Sequence, residues 1–282
     1  MSFVSAVSAP VEQDGSAQWF AFSSERLLVR LKHPGAEVPW LEKGLTDLGM
    51  SPVRTQFLGF LDRKPCFSAE LPQDATPPEG WTFQGLRSLF SVLDEAMFDV
   101  AGRAKQIVLW DRTHQFCGQC GNPTHSMDEE RAKLCPQCGL ASYPRLVPAV
   151  IVAVTRGDEL LLARAQRFPK GFYSVLAGYV EPGETLEECV KREIREEVGI
   201  EVCNIRYFGS QSWPFPHSFM VAFTAAHSAG ELRPDPTEIA DAGWYSRTNL
   251  PSIPEKISIA RRLIDWFTES GGSTLSDRDI PG

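Results

Sequence analysis

Along this chain the spacing of hydrophobic and polar positions changes several times, and each change marks an element. Residues 27–31, 55–61 and 65–71 are short apolar or alternating runs that predict strands, and 62–64 predict a hairpin turn between the last two. Residues 72–80, with three prolines, predict a loop. From 83 to about 111 the apolar residues Leu86, Leu89, Phe90, Leu93, Met97 and Ala101 recur at helical spacing, and Gly102 predicts a break into two helices. Beyond a cysteine-rich stretch, the continuous apolar run 149–154 predicts a buried strand, followed after a turn at 156–158 by strands over 159–163 and 173–177. Residues 201–208, 219–225 and 243–246 predict further strands, and 258–267 a closing amphipathic helix. The polar tail 271–282 predicts disorder. Strands mixed with helices throughout give an α/β fold class, with an α+β segment before residue 112.

One predicted helix has its polar residues in an unusual place. Thr185 and Glu188 form a capping box at its start, and Gly199 ends it. At 100° per residue, Leu186, Cys189 and Val190 begin an apolar stripe, which Glu193, Glu196 and Glu197 continue at i, i+3, i+4 spacing. The opposite face carries Glu188, Lys191, Arg192 and Arg195. A Glu-rich run is ordinarily a solvated face, but here carboxylates point where the pattern predicts burial. Converging carboxylates repel unless a cation sits among them, and hard oxygens on a rigid helix suit Mg²⁺ or Mn²⁺.

Charge and cysteine usage narrow the classes. With 28 basic and 36 acidic residues the net charge is −8, which argues against broad nonspecific binding to nucleic acid. The longest apolar run, 147–154, is far short of a membrane span, and the first residues lack a signal-peptide pattern, so the expectation is cytoplasmic with no membrane. Cys117, Cys120, Cys135 and Cys138 are spaced C-x2-C-x14-C-x2-C, which closes a tetrahedral Zn²⁺ site without an open position. That site is either a structural clip or a ribbon that reads nucleic acid; the mixed charges of Glu129, Glu130, Arg131 and Lys133 between the pairs form no clear basic patch. Cys66, Cys189 and Cys203 read as small core residues. Residues 210–218 read as a stiff loop, its prolines fixing Trp213 and Phe215 either to stack a planar ring or to fill an interface.

Gly178, Glu184, Arg192, Glu193, Glu196, Glu197 and Gly199 spell G-x5-E-x7-R-E-U-x-E-E-x-G-U (U apolar), which resembles an intact Nudix box. The run Ser210 to Ser218 resembles the array S-Q-P-W-P-F-P-x-S of the NADH/NAD⁺ pyrophosphatase subfamily, with Ser212 in place of its first proline. A four-cysteine ribbon before the box belongs to the same subfamily. The resemblance, which covers roughly residues 87–267, implies a Nudix α/β/α sandwich with a mixed sheet over 146–270 and a zinc ribbon at 113–145; residues 1–112 read from their own pattern as an α+β domain. It implies Mg²⁺- or Mn²⁺-dependent hydrolysis of NADH or NAD⁺ to nicotinamide mononucleotide and AMP, in a homodimer. The implied metal ligands are Glu193, Glu197, Glu238 and the carbonyl of Ala177, with Glu196 as a further ligand or outer partner; Arg192, Glu193, Glu196 and Glu197 form the catalytic set. Implied substrate residues are Arg87, Glu130, Tyr143, Tyr179, Gln211, Ser212, Trp213, Pro214, Phe215, Pro216, His217, Ser218 and Ala260. Two alternatives stand beside this: removal of NAD caps from RNA 5′ ends by the same chemistry, or a nucleotide-sensing module without catalysis.

Overall fold

A computed structural model describes residues 2–9, 16–33 and 35–270; the predicted tail lies outside them. Contacts divide the chain into two units, Met1–Arg145 and Leu146–Gly282. Among the described residues no helix is long and apolar enough to cross a membrane.

The first unit holds strands β1 (Phe3–Ser5), β2 (Ala17–Ser23), β3 (Arg26–Lys32), β4 (Gly35–Glu37), β5 (Trp40–Leu41), β6 (Arg54–Leu61), β7 (Lys64–Leu71) and β8 (Thr82–Gly85). They form one sheet in the order β1-β6-β7-β2-β3-β4, with β5 on β2 and β8 on β3. Asp62 and Arg63 turn the β6–β7 hairpin in the left-handed region, at φ 48° and 67°. Strand β2, central and nearly all buried, was not predicted from the pattern: it lacks clean alternation, and a buried run has no helical or strand period of its own.

Helical spacing over 83–111 misled in part. Residues 82–85 are strand and Leu86–Leu89 a 3₁₀ turn; helix α1 (Glu95–Thr113) starts only where Asp94 accepts a hydrogen bond from Met97 N at 2.9 Å. Nor does Gly102 break it. It is buried between Ala101 and Ala104, where packing outweighs the roughly 1 kcal/mol a helical glycine costs.

Strands β9 (His125–Ser126), β10 (Lys133–Leu134) and β11 (Ala141–Ser142) make the ribbon. Its charges, seen in sequence only as mixed, are partly internal ties. Lys133 Nζ meets Asp111 of α1 at 2.6 Å with both side chains buried. Arg131 donates to the carbonyls of Phe57 (2.8 Å) and Ala6 (2.7 Å).

The second unit contains β12 (Val147–Arg156), β13 (Glu159–Ala165), β14 (Leu176–Tyr179), α2 (Leu186–Val198), β15 (Glu201–Trp213), β16 (Ser218–Ala229), β17 (Ile239–Ser246) and α3 (Ile259–Ser270). Its sheet runs β15-β16-β12-β13-β17, with β14 on β12; β12 and β16 are parallel and the other pairs antiparallel. Alternate residues of β12 face opposite cores. Val150, Val152 and Val154 pack with Val190, Ile194 and Val198 of α2, whereas Ile151 and Ala153 pack with Leu263, Ile264 and Phe267 of α3. This is the α/β/α sandwich. Several boundaries differ from the sequence reading: β14 begins three residues later, β17 begins four residues earlier, and β15 and β16 run on into the aromatic motif, so that motif is the end of a hairpin rather than a free loop.

Candidate active site

Helix α2 carries the site because its ends are fixed locally. Thr185 Oγ1 accepts from Glu188 N at 3.2 Å, and Glu188 Oε2 accepts from Thr185 N at 2.8 Å, completing the capping box. Gly199 closes the helix at φ 75°. The buried stripe is Cys189, Val190, Ile194, Glu197 and Val198, with Glu193 half-buried beside it.

Two residues depart from the helical-wheel expectation. Glu196, placed on the buried stripe, has a side chain 60% exposed. Arg192, placed on the outward face, turns back across the helix. Its Nε and Nη2 reach Glu184 (2.7 and 2.9 Å), Nη1 reaches Glu193 (2.9 Å) and Glu196 (3.0 Å), and Nη2 also reaches the Tyr179 carbonyl (2.9 Å). These contacts use all five guanidinium donors, leaving none for a substrate. Arg192 therefore positions carboxylates, and its hydrogen bonds hold the Glu184 carboxyl down at about 2.

Glu193 and Glu197 behave differently. Glu197 is only 8% exposed, and its Oε2 is buried without a hydrogen-bond partner. Burial first, then the charges of Glu193 and Glu238, push its carboxyl up to about 8. Burial also raises Glu193. Gly178 on β14 faces Glu193 so closely that a Cβ there would fall on the carboxylate carbon, which explains the glycine at that place. Ala177 lies one residue earlier, opposite Ile151.

Glu238 comes from a turn after β16. Asp235 accepts from Thr237 N and Oγ1, both at 2.8 Å, and Ile239 N donates to Asp235 O. The chain before that turn is fastened to the end of α2: Asp235 N donates to Glu197 O (2.9 Å) and Arg233 N to Val198 O (2.8 Å). On its other side Gln166 N donates to Glu238 O (2.8 Å) and Gln166 Nε2 to Pro236 O (2.9 Å).

The arrangement fits a divalent cation. An orphaned, buried carboxylate oxygen with like charges around it is the acceptor such an ion supplies a partner for, and an all-oxygen donor set suits Mg²⁺ or Mn²⁺.

Beyond the cluster, β12 brings two predicted substrate residues together: Tyr179, at the end of β14, has its hydroxyl 3.2 Å from that of buried Ser218, at the start of β16. Trp213 and Phe215 meet edge to face with centroids 5.0 Å apart. Pro214 is buried, whereas Ser212 and Pro216 are exposed. His217 has a buried Nδ1 without a hydrogen-bond partner, and its carbonyl accepts from Val147 N. The Gln211 side chain donates to Ile257 O (2.8 Å) and accepts from Ile259 N (2.7 Å), so both its ends fix the start of α3. Ala260 is buried in the core beneath α3. Arg87, Glu130 and Tyr143 belong to the first unit, where the Tyr143 hydroxyl donates to Glu130 at 2.6 Å. Gln166, which braces Glu238, gave no signal in the sequence; it lies in a turn with no motif spacing.

In the ribbon, the ligand atoms of Cys117, Cys120, Cys135 and Cys138 all lie within 4.8 Å of one another. Three of the S···S separations are 3.5, 3.5 and 3.6 Å. Zn–S bonds of about 2.3 Å would give tetrahedron edges of about 3.8 Å. Zinc fits. Hydrogen bonds from Asn122 hold the Cys120 thiol down to about 6, toward the thiolate that a metal needs.

Comparison with known proteins agrees with this geometry. Residues 145–267 match the NUDIX domain, 16–110 the NADH pyrophosphatase-like rudimentary NUDIX domain and 112–143 the NADH pyrophosphatase zinc ribbon domain. The chain is 50% identical over 228 residues to a protein of Stutzerimonas stutzeri called NAD-capped RNA hydrolase NudC, covering 81% of each. Proteins of the same name from Pseudomonas putida (50% over 228 residues, 81% of each) and Pseudomonas entomophila (51% over 210 residues, 74% of this chain and 76% of the other) are similarly related.

Proposed function

The chain belongs to the Nudix hydrolase family, and from that premise we propose that it cleaves the pyrophosphate of NADH or NAD⁺ into nicotinamide mononucleotide and AMP. The observation that carries the reading is the buried, unpartnered oxygen of Glu197 within a complete set of box carboxylates. Glu193, Glu197, Glu238 and the carbonyl of Ala177 would hold the catalytic cation. When bound, Mg²⁺ or Mn²⁺ would neutralise the diphosphate and lower the pKa of water.

The chain's own residues then divide the remaining work. Arg192 holds Glu184, Glu193 and Glu196 in fixed relation. Glu197 is the ligand, since burial leaves its free oxygen no other partner. That leaves Glu196, facing water, to take a proton at a carboxylate oxygen as water adds to phosphorus and the bridging P–O bond breaks. Trp213, Phe215 and Tyr179 offer rings and a hydroxyl to the base and ribose. Ser212, Pro214, Pro216, His217 and Ser218 shape that hairpin end, and Gln211 and Ala260 set where α3 begins beside it. The resemblance also assigns Arg87, Glu130 and Tyr143 to substrate binding, in a homodimer. Zn²⁺ on the four cysteines is structural. A cytoplasmic location belongs to the same reading.

A second reading keeps the same bond and changes its carrier: the names of the relatives support an NAD cap at an RNA 5′ end as substrate. A sensing module without catalysis is set aside, because every box carboxylate is in place. Product analysis with NADH, NAD⁺, ADP-ribose and NAD-capped RNA side by side tests both. Mononucleotide and AMP from the first two uphold the reading, release from capped RNA alone moves it to the second, and turnover of ADP-ribose alone sinks both.

A further inference from the structure

We propose that Arg167, on the turn after β13, is a substrate-contacting residue that binds the diphosphate from the Glu238 side of the carboxylate cluster. This rests on the reading above that the site cleaves a pyrophosphate. Strand β13 ends at Ala165, and Phe168 N closes the following turn on Ala165 O at 2.9 Å. The two hydrogen bonds of Gln166 fasten that turn to the segment presenting Glu238. Arg167 is thereby carried to the edge of the cluster, close enough for its charge to act on Glu197.

Arg167 differs from the other guanidinium at this edge. Arg192 has every donor engaged, but Arg167 is exposed and forms no ion pair among the described residues. Its guanidinium lies 5.2 Å from the Phe168 ring centroid, a contact with the ring that leaves its N–H groups unspent. A planar fork of donors matches two non-bridging oxygens of a phosphate better than any other side chain. A cation held by Glu193, Glu197 and Glu238 would meet part of the diphosphate's charge, and an open guanidinium beside them offers donors to the phosphate oxygens that remain. Gln166 is the positioning residue that sets both Glu238 and Arg167.

The test compares wild type with Arg167→Gln and Arg167→Lys, and with Arg156→Gln at the far hairpin of the same sheet. Steady-state hydrolysis of NADH is measured alongside calorimetric binding of α,β-methylene ADP-ribose and of adenosine, all with Mg²⁺. Arg167→Gln is expected to lower kcat/KM and weaken the methylene analogue by about tenfold or more, the size of a lost charge-assisted hydrogen bond. Adenosine binding and Tm should stay unchanged, Lys should restore part of the loss, and Arg156→Gln should match wild type. Unchanged analogue binding in Arg167→Gln overturns the proposal; so does equal weakening of the analogue and adenosine, which would mark a structural role. A wild type that binds the analogue through Arg167 but hydrolyses no dinucleotide would sink the functional reading and leave this assignment standing.

Discussion

The chain contains two candidate metal sites built on opposite principles. In the ribbon, four thiols lie within 4.8 Å of one another on two short knuckles. Thiols can be neutral, so the set assembles without mutual repulsion and then gains from a metal. On α2, Glu193 and Glu197 are brought with Glu238 to one place where burial and like charge oppose their ionised forms. Among the described residues, only the cysteines form a group of three or more ligands this close. One site spends its metal on folding. The other holds charge at a cost to stability, and that is the expected sign of a working site.

Removing a ligand from each site should break the comparison in opposite directions. Cys135→Ser, at a buried position, should abolish zinc content and lower stability by several kcal/mol, about what loss of a structural zinc ligand implies, read by metal analysis and thermal unfolding. A zinc-free variant of wild-type Tm would refute the structural role. Glu197→Gln should leave zinc in place and lower kcat by about a hundredfold or more. Near-normal turnover at saturating Mg²⁺ would show that the helix face has been assigned wrongly.

The same variant sharpens the contrast through pH. A carboxyl raised from 4.5 to about 8 contributes stability that is fully present below the lower value and lost as pH rises through the upper one. Zinc-replete protein without Mg²⁺ or Mn²⁺ should therefore fall in Tm across that window. Glu197→Gln should flatten the fall, and Mg²⁺ should offset it in wild type. A flat wild-type profile would mean Glu197 is ionised at no cost.

Smaller effects lie further out. Trp213→Ala should raise KM for NADH by about tenfold, relative to ADP-ribose, if the ring stacks on a base. Equal kinetics on both substrates would turn the hairpin into a packing feature. Smallest of all is Glu188→Gln. Gln can still accept the Thr185 amide, so activity should stay within about twofold of wild type. A large loss there would contradict the division of α2 into a site face and an outward face.

The amino-acid sequence by itself determined what depends on near neighbours. The capping box, the Gly199 stop, the burial of Glu197 and the cysteine spacing are all set within a few residues or one helical turn. What failed was also local reasoning: a helical period over 83–93 that belongs to a strand, a 3₁₀ turn and the turns before α1, and a wheel that put Glu196 inward and Arg192 outward. A wheel fixes the direction of a Cβ, whereas a long guanidinium goes where acceptors are, and the Glu184 and Tyr179 acceptors lie outside the helix. Only the tertiary structure decided which distant segments meet α2. Gln166 reaches Pro236 across 70 residues because β13 and β17 pair in one register, with a shift at Arg164/Ala165 that leaves Ala240 of β17 without a partner. A shift of one residue in that register would send those side chains to the other face of the sheet, and no spacing along the chain specifies it.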